Sequence, residues 1–103
     1  VKVVATEKVR HLRYERLRRS LQDSILIWPH NYCHKVIGRN DPAFLSGIVE
    51  FEKSFPSLHR EGSQLSKNGT YLSLTYRYAA KDVDEIISLW VASEQVKDVV
   101  TVM

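Results

Sequence analysis

The sequence predicts an α+β domain, a four-stranded antiparallel sheet with two helices on one face, preceded by a basic helix. Three features predict it. The corner Val36-Ile37-Gly38-Arg39-Asn40-Asp41-Pro42-Ala43-Phe44-Leu45 turns a strand into a helix. Thr70 to Tyr78 alternates between two faces as a half-buried strand does. Asp82 and Glu85, three residues apart, form a capping box that opens a second amphipathic helix.

Val4 to about Leu21 reads as the first helix, with Ala5, Val9, Leu12, Leu17 and Leu21 three to five residues apart. Its apolar stripe is narrow, suited to resting on another surface and not to filling a core. Pro29 then biases Trp28 toward an extended conformation, so Ile25 to Trp28 reads as a packed lead-in.

Asn31 to Gly38 reads as a strand whose Val36 and Ile37 face opposite ways. Asp41 is a suitable N-cap because its carboxylate accepts the free amides of the first turn. Pro42 follows at the first helical position, where a missing N–H costs nothing. Phe44, Leu45, Ile48, Val49, Phe51 and Phe55 recur at helical spacing, and Pro56 stops the helix near Ser54.

Leu58 to Ser66 is polar and weakly patterned, as a sheet edge would be. Asn68-Gly69 predicts a tight hairpin with positive φ at both positions. In the strand that follows, Leu72, Leu74, Tyr76 and Tyr78 share one face and Tyr71, Ser73, Thr75 and Arg77 the other. The second domain helix should bury Val83, Ile86, Ile87 and Trp90, and the β-branched run Val96 to Val102 should close the sheet. The order is a helix, then β-α-β-β-α-β, the split βαβ or ferredoxin-like plan. Residues 1–24 form a basic helical arm and residues 25–103 the domain.

Composition narrows the function classes. At 103 residues the chain is one domain, and 44% hydrophobic with 26% charged residues places it among folded globular proteins, not disordered ones. Apolar runs reach only four or five residues, as in Ile25 to Trp28, too short to cross a membrane, and no secretory leader is visible. The chain begins at Val1, as would a fragment, a processed product or a chain relieved of an organelle-targeting peptide. A lone cysteine, Cys33, allows no internal disulfide and suits a reducing cytoplasm or organelle matrix. The net charge of +3 is uneven: residues 1–24 carry seven Lys/Arg against three acids, and the remainder eight against nine. This is a near-neutral domain with a basic arm.

Trp28-Pro29, His34-Lys35-Val36-Ile37-Gly38, Ser66-Lys67-Asn68-Gly69-Thr70-Tyr71-Leu72-Ser73-Leu74-Thr75 and Val96-Lys97-Asp98-Val99-Val100 resemble the YbeD-like family of small uncharacterised proteins. The resemblance covers about residues 27–103. It implies a fold similar to ACT regulatory domains, which bind amino acids or other small effectors, usually at dimer interfaces, and hence a regulatory or protein-interaction role. Gly38 to Leu45 is similar to the ACT effector corner, with one departure. Ala43 stands where ACT domains commonly place a glycine, and its methyl group narrows the approach of an effector to the backbone.

Three candidate sites follow. Gly38, Arg39, Asn40 and the amides near Asp41 could hold a small anionic or zwitterionic effector at a helix N-terminus. The competing reading is that Asp41 already satisfies those amides and Gly38 only permits the turn. Tyr71, Ser73, Thr75 and Arg77 lie on the sheet face that the helices leave open and match a homo-oligomer or protein-partner interface. A solvated face is the alternative, and RNA readout lacks the paired aromatics it requires. Arg10, Arg13, Arg16, Arg18 and Arg19 make the arm a candidate for RNA phosphates, an acidic protein groove or, least suitably, an anionic membrane surface.

Metal, cofactor and catalytic signatures are not expected. His30, Cys33, His34 and His59 lack converging zinc-ligand spacing, since adjacent strand residues face opposite ways. No nucleophile, base and orienting group can be assembled. The expected function is a non-enzymatic regulatory or adaptor domain acting through protein contacts, with room for a small effector. The alternative is an accessory subunit of a larger assembly, such as a ribonucleoprotein, anchored by the basic helix.

Overall fold

The computed structural model describes residues 2–103, with side chains from Arg13 onward. Its elements are α1 (Lys2–Ser24), β1 (His30–Arg39), α2 (Pro42–Lys53), β2 (Leu58–Leu65), β3 (Tyr71–Ala80), α3 (Val83–Glu94) and β4 (Val99–Val102). The strands form one antiparallel sheet in the order β2-β3-β1-β4, which is the ferredoxin-like arrangement.

The core lies between the sheet and the two domain helices. Val36 from β1 and Leu74, Tyr76, Tyr78 and Ala80 from β3 point into it. They meet Phe44, Ile48 and Phe51 from α2 and Ile86 and Leu89 from α3. Period-2 strands and 3.6-period helices each present one apolar side, and this arrangement buries both.

Several details depart from the sequence reading. The hairpin between β2 and β3 is closed by Gly69 alone, at φ 73°; Asn68 keeps a negative φ. Ser66 pairs with Tyr71 across the intervening loop, and the Gly69 amide donates to the Ser66 carbonyl at 2.9 Å. A four-residue loop needs only one left-handed position. In α3 the buried residues include Leu89 and Ser93, whereas Trp90 is half-buried and donates through Nε1 to the Tyr32 hydroxyl at 2.8 Å. The α1 side of α3 is also covered, which widens its buried stripe beyond the one facing the sheet. Glu85 caps one residue earlier than a standard capping box, accepting from the Lys81 amide at 2.6 Å. The last strand starts at Val99, because Asp98 turns the chain at φ 63°.

The arm does not stand away from the domain. Helix α1 packs along α3, with Arg13 and Tyr14 bonded to Glu94 and Arg18 paired to Asp84. Leu21 and Ile25 rest against the core. Arg16 and Arg19 stay exposed, and Arg10 lies outside the residues whose side chains are described.

Candidate functional site

Midway along β1, on the side facing α3, lies one buried histidine. His34 is fully buried between the Tyr32 and Trp90 rings. The Ser93 hydroxyl donates to the Leu89 carbonyl at 2.7 Å, so it accepts from His34 Nε2 at 2.8 Å. His34 therefore carries its proton on Nε2, and Nδ1 is left without a partner. Burial holds its pKa down at about 4, despite the nearby Glu94 carboxylate, so the ring is neutral at pH 7. Cys33, its neighbour, is exposed on the other face. Among the described residues no group of three His, Cys, Asp or Glu converges to hold a metal.

The corner brings Gly38, Arg39, Asn40 and Asp41 together as the sequence suggests, but each has a task within the chain. Asp41 Oδ1 accepts from the Phe44 amide at 2.8 Å and caps α2. Gly38 is buried under the Phe44 ring, where an added Cβ would lie 2.2 Å from a ring carbon. Glycine is thus required by packing, not by backbone twist. The Asn40 amide donates to the Thr70 carbonyl at 2.9 Å, and Nδ2 to the Gly69 carbonyl at 3.2 Å. The Arg39 amide donates to the Asp98 carbonyl at 3.0 Å.

Asp98 is a corner residue that sequence reasoning missed. Its carboxyl group neighbours that of Asp41. The Phe44 amide holds Asp41 below its ordinary value, while the bond to Asp41 raises Asp98. Fifty-odd positions separate the two, and no local pattern announces such a meeting.

The second candidate, the sheet face opposite the helices, is uncovered. Ser73, Thr75 and Arg77 are half-buried and Tyr71 is exposed. Beside them in register stand Cys33, Lys35, Ile37 and Arg39 of β1. Arg77 donates through Nε and Nη2 to the two Glu61 oxygens at 2.9 and 3.3 Å. Glu61 is the extra residue of a β-bulge between Arg60 and Gly62, which lets its side chain reach the open face. This ion pair holds the Glu61 carboxyl below its ordinary range. Toward the hairpin, Ile37, Gln64, Leu65, Ser66, Tyr71 and Ser73 line an open groove of about 230 Å³. Leu65 and Tyr71 are its exposed apolar walls. Leu65, Gln64 and Glu61 were not legible as site residues, because a polar edge strand with a bulge has no steady alternation.

A family described as "Protein of unknown function (DUF493)" matches residues 23–103. The chain belongs to the DUF493 family. This is the YbeD-like family that the sequence resembles. The ACT domain from the GTP pyrophosphokinase of Chlorobium tepidum is similar in structure, with a TM-score of 0.55 at 14% identity. The match covers 72% of this chain and 97% of that one, and at such identity it shows the fold alone. No curated protein matches the sequence. This DUF493 chain is therefore an α+β, ACT-like domain with an added N-terminal helix. Among its described residues no helix is long and apolar enough to cross a membrane.

Proposed function

We propose that this chain is a regulatory or adaptor domain without catalytic activity, acting through protein contacts made by the uncovered face of its sheet. The observation that carries this reading is the groove between Ile37, Leu65 and Tyr71, which exposes apolar side chains beside the polar groups of Gln64, Ser66 and Ser73. Apolar centres with polar rims are how protein interfaces are built. The likeness to ACT domains supports a regulatory context. At the Gly38–Asp41 corner, by contrast, Phe44 takes the space and Asp41 the amide, so the reading rests on the sheet and not on an effector.

The test is native co-purification from the cells that make the protein, comparing wild type with Leu65→Asp and Tyr71→Asp. Both residues are exposed, so each variant should melt within a few degrees of wild type and lose the co-purifying protein. A variant that keeps its partner in full overturns the assignment to this face.

A second reading is favoured by one feature of the arm. Arg16 and Arg19 are exposed and unpaired among the described residues, while Arg13 and Arg18 hold α1 to α3. An accessory subunit of a larger assembly would use those two free cations as its anchor. Charge reversal at Arg16 and Arg19 would then release the assembly without unfolding the domain.

A further inference from the structure

On the helix-covered side, far from the open sheet face, a cleft of about 480 Å³ lies between the end of α2 and the start of α3. Phe55, Pro56 and Tyr78 give it an apolar floor; Asp82, Asp84 and Glu85 stand along one wall, and Ser54, Ser57 and Ser88 complete the rim. The acids alone would be unremarkable, since Asp82 and Glu85 cap α3. Each cap uses only one oxygen, however. Asp82 Oδ1 accepts from the Glu85 amide at 3.0 Å and Glu85 Oε1 from the Lys81 amide at 2.6 Å, which leaves Asp82 Oδ2 and Glu85 Oε2 without a donor among the described residues.

Tyr78 adds a further polar group to the cleft. Its side chain is only 6% exposed, with the ring edge-on to Phe55 at 5.9 Å between centroids, yet its hydroxyl opens into the cleft and makes no hydrogen bond among the described residues. The ring is buried but the oxygen itself is reached from the cleft, so a bound group can hydrogen-bond to it. Burial, and then the carboxylates of Glu85 and Asp82, raise its pKa.

We propose that this cleft receives an arginine side chain from a partner polypeptide. The chemistry selects that occupant in steps. Three carboxylates face one guanidinium from the same chain, Arg18 on Asp84, so the wall keeps a negative excess and already holds one group of this kind. Among the described residues no three His, Cys, Asp or Glu side chains converge on a metal, and the aromatic floor suits an organic cation. A planar guanidinium presents forked donors to Asp82 Oδ2 and Glu85 Oε2 and a flat face to the aromatic floor, a match that the compact, strongly hydrated ammonium of lysine makes less well. The volume exceeds one guanidinium, and the serine rim offers hydrogen-bonding groups to the flanking peptide backbone.

The experiment uses the full chain, labelled for NMR, titrated with a capped Gly-Ala-Arg-Ala-Gly peptide, its citrulline counterpart and free agmatine. Asp82→Asn and Glu85→Gln together remove both charges while keeping side-chain oxygens that can still cap α3. Tyr78→Phe removes only the hydroxyl. The arginine peptide should shift the resonances of Tyr78, Asp82, Glu85 and Ser88, and bind about tenfold more weakly to the double variant, as expected for lost charge-assisted hydrogen bonds. Tyr78→Phe should weaken it to a smaller degree, and the citrulline peptide should not bind. Equal binding of the citrulline peptide, unchanged affinity in the folded double variant, or no shift at millimolar peptide overturns the site. Agmatine binding as tightly as the peptide overturns the polypeptide as its source.

Discussion

The chain turns from strand to helix twice, each time through an aspartate N-cap, and the two corners end up opposite in character. At the first, Asp41 caps α2, the Phe44 ring packs against Gly38, and the loops carrying Gly69 and Asp98 close over the backbone. At the second, Asp82 caps α3 with the same geometry, but Tyr78 and Phe55 floor an open cleft. An acid in the N-cap position therefore says that a helix starts. Whether a ligand can enter depends on what the rest of the chain packs against that start.

The strongest way to break this contrast is to empty the first corner. Phe44 is fully buried, and Phe44→Ala should cost about 3–5 kcal/mol by urea denaturation, as core aromatic truncations do. A cost below about 1 kcal/mol would mean that the corner is not packed as described.

Acid should act next most strongly, through the strand leading into that corner. The pKa of His34 is about 4 in the folded protein against 6.5 as a free side chain. A depressed folded value means that stability is full above pH 6.5 and is lost as pH falls toward 4, because the unfolded chain takes up the proton first. The loss should total about 3 kcal/mol, and His34→Gln should remove it from the pH profile. Wild-type and variant profiles that run parallel between pH 7 and 4 would refute the buried neutral ring.

A smaller change sharpens the role of glycine. Gly38→Ala places a methyl group within the Phe44 ring and should destabilise by about 1–3 kcal/mol through overpacking. A fully stable variant would instead make Gly38 a residue of the turn alone. The smallest effect is electrostatic. Asp41→Asn keeps an N-cap while removing the charge beside Asp98, so the Asp98 pKa, raised by that neighbour, should fall in an NMR titration while the melting temperature barely moves.

Much of this was legible in the sequence, and the residues that were not share a cause. Asp41-Pro42, Asp82 with Glu85, and the alternation of Leu72, Leu74, Tyr76 and Tyr78 announce elements because caps and periodicity act over a few residues. Asp98 beside Asp41, the Glu61 bulge under Arg77, and the burial of Ser93 against His34 bring together positions far apart or break a local pattern. The basic helix shows the same limit. Its narrow apolar stripe suggested that it rests on another surface and its arginines suggested a partner contact, and only the position of Glu94 and Asp84 on α3 makes Arg13 and Arg18 its fasteners.

The sequence by itself determined the order of elements, the caps, which face of β3 is apolar and the fold those facts imply. Tertiary structure decided which corner is filled, which cleft stays open, where α1 lies and that His34 is buried. The physical reason is range. Backbone propensity and capping are settled by neighbours in the chain, whereas space, burial and charge pairing are settled by whatever the fold brings alongside.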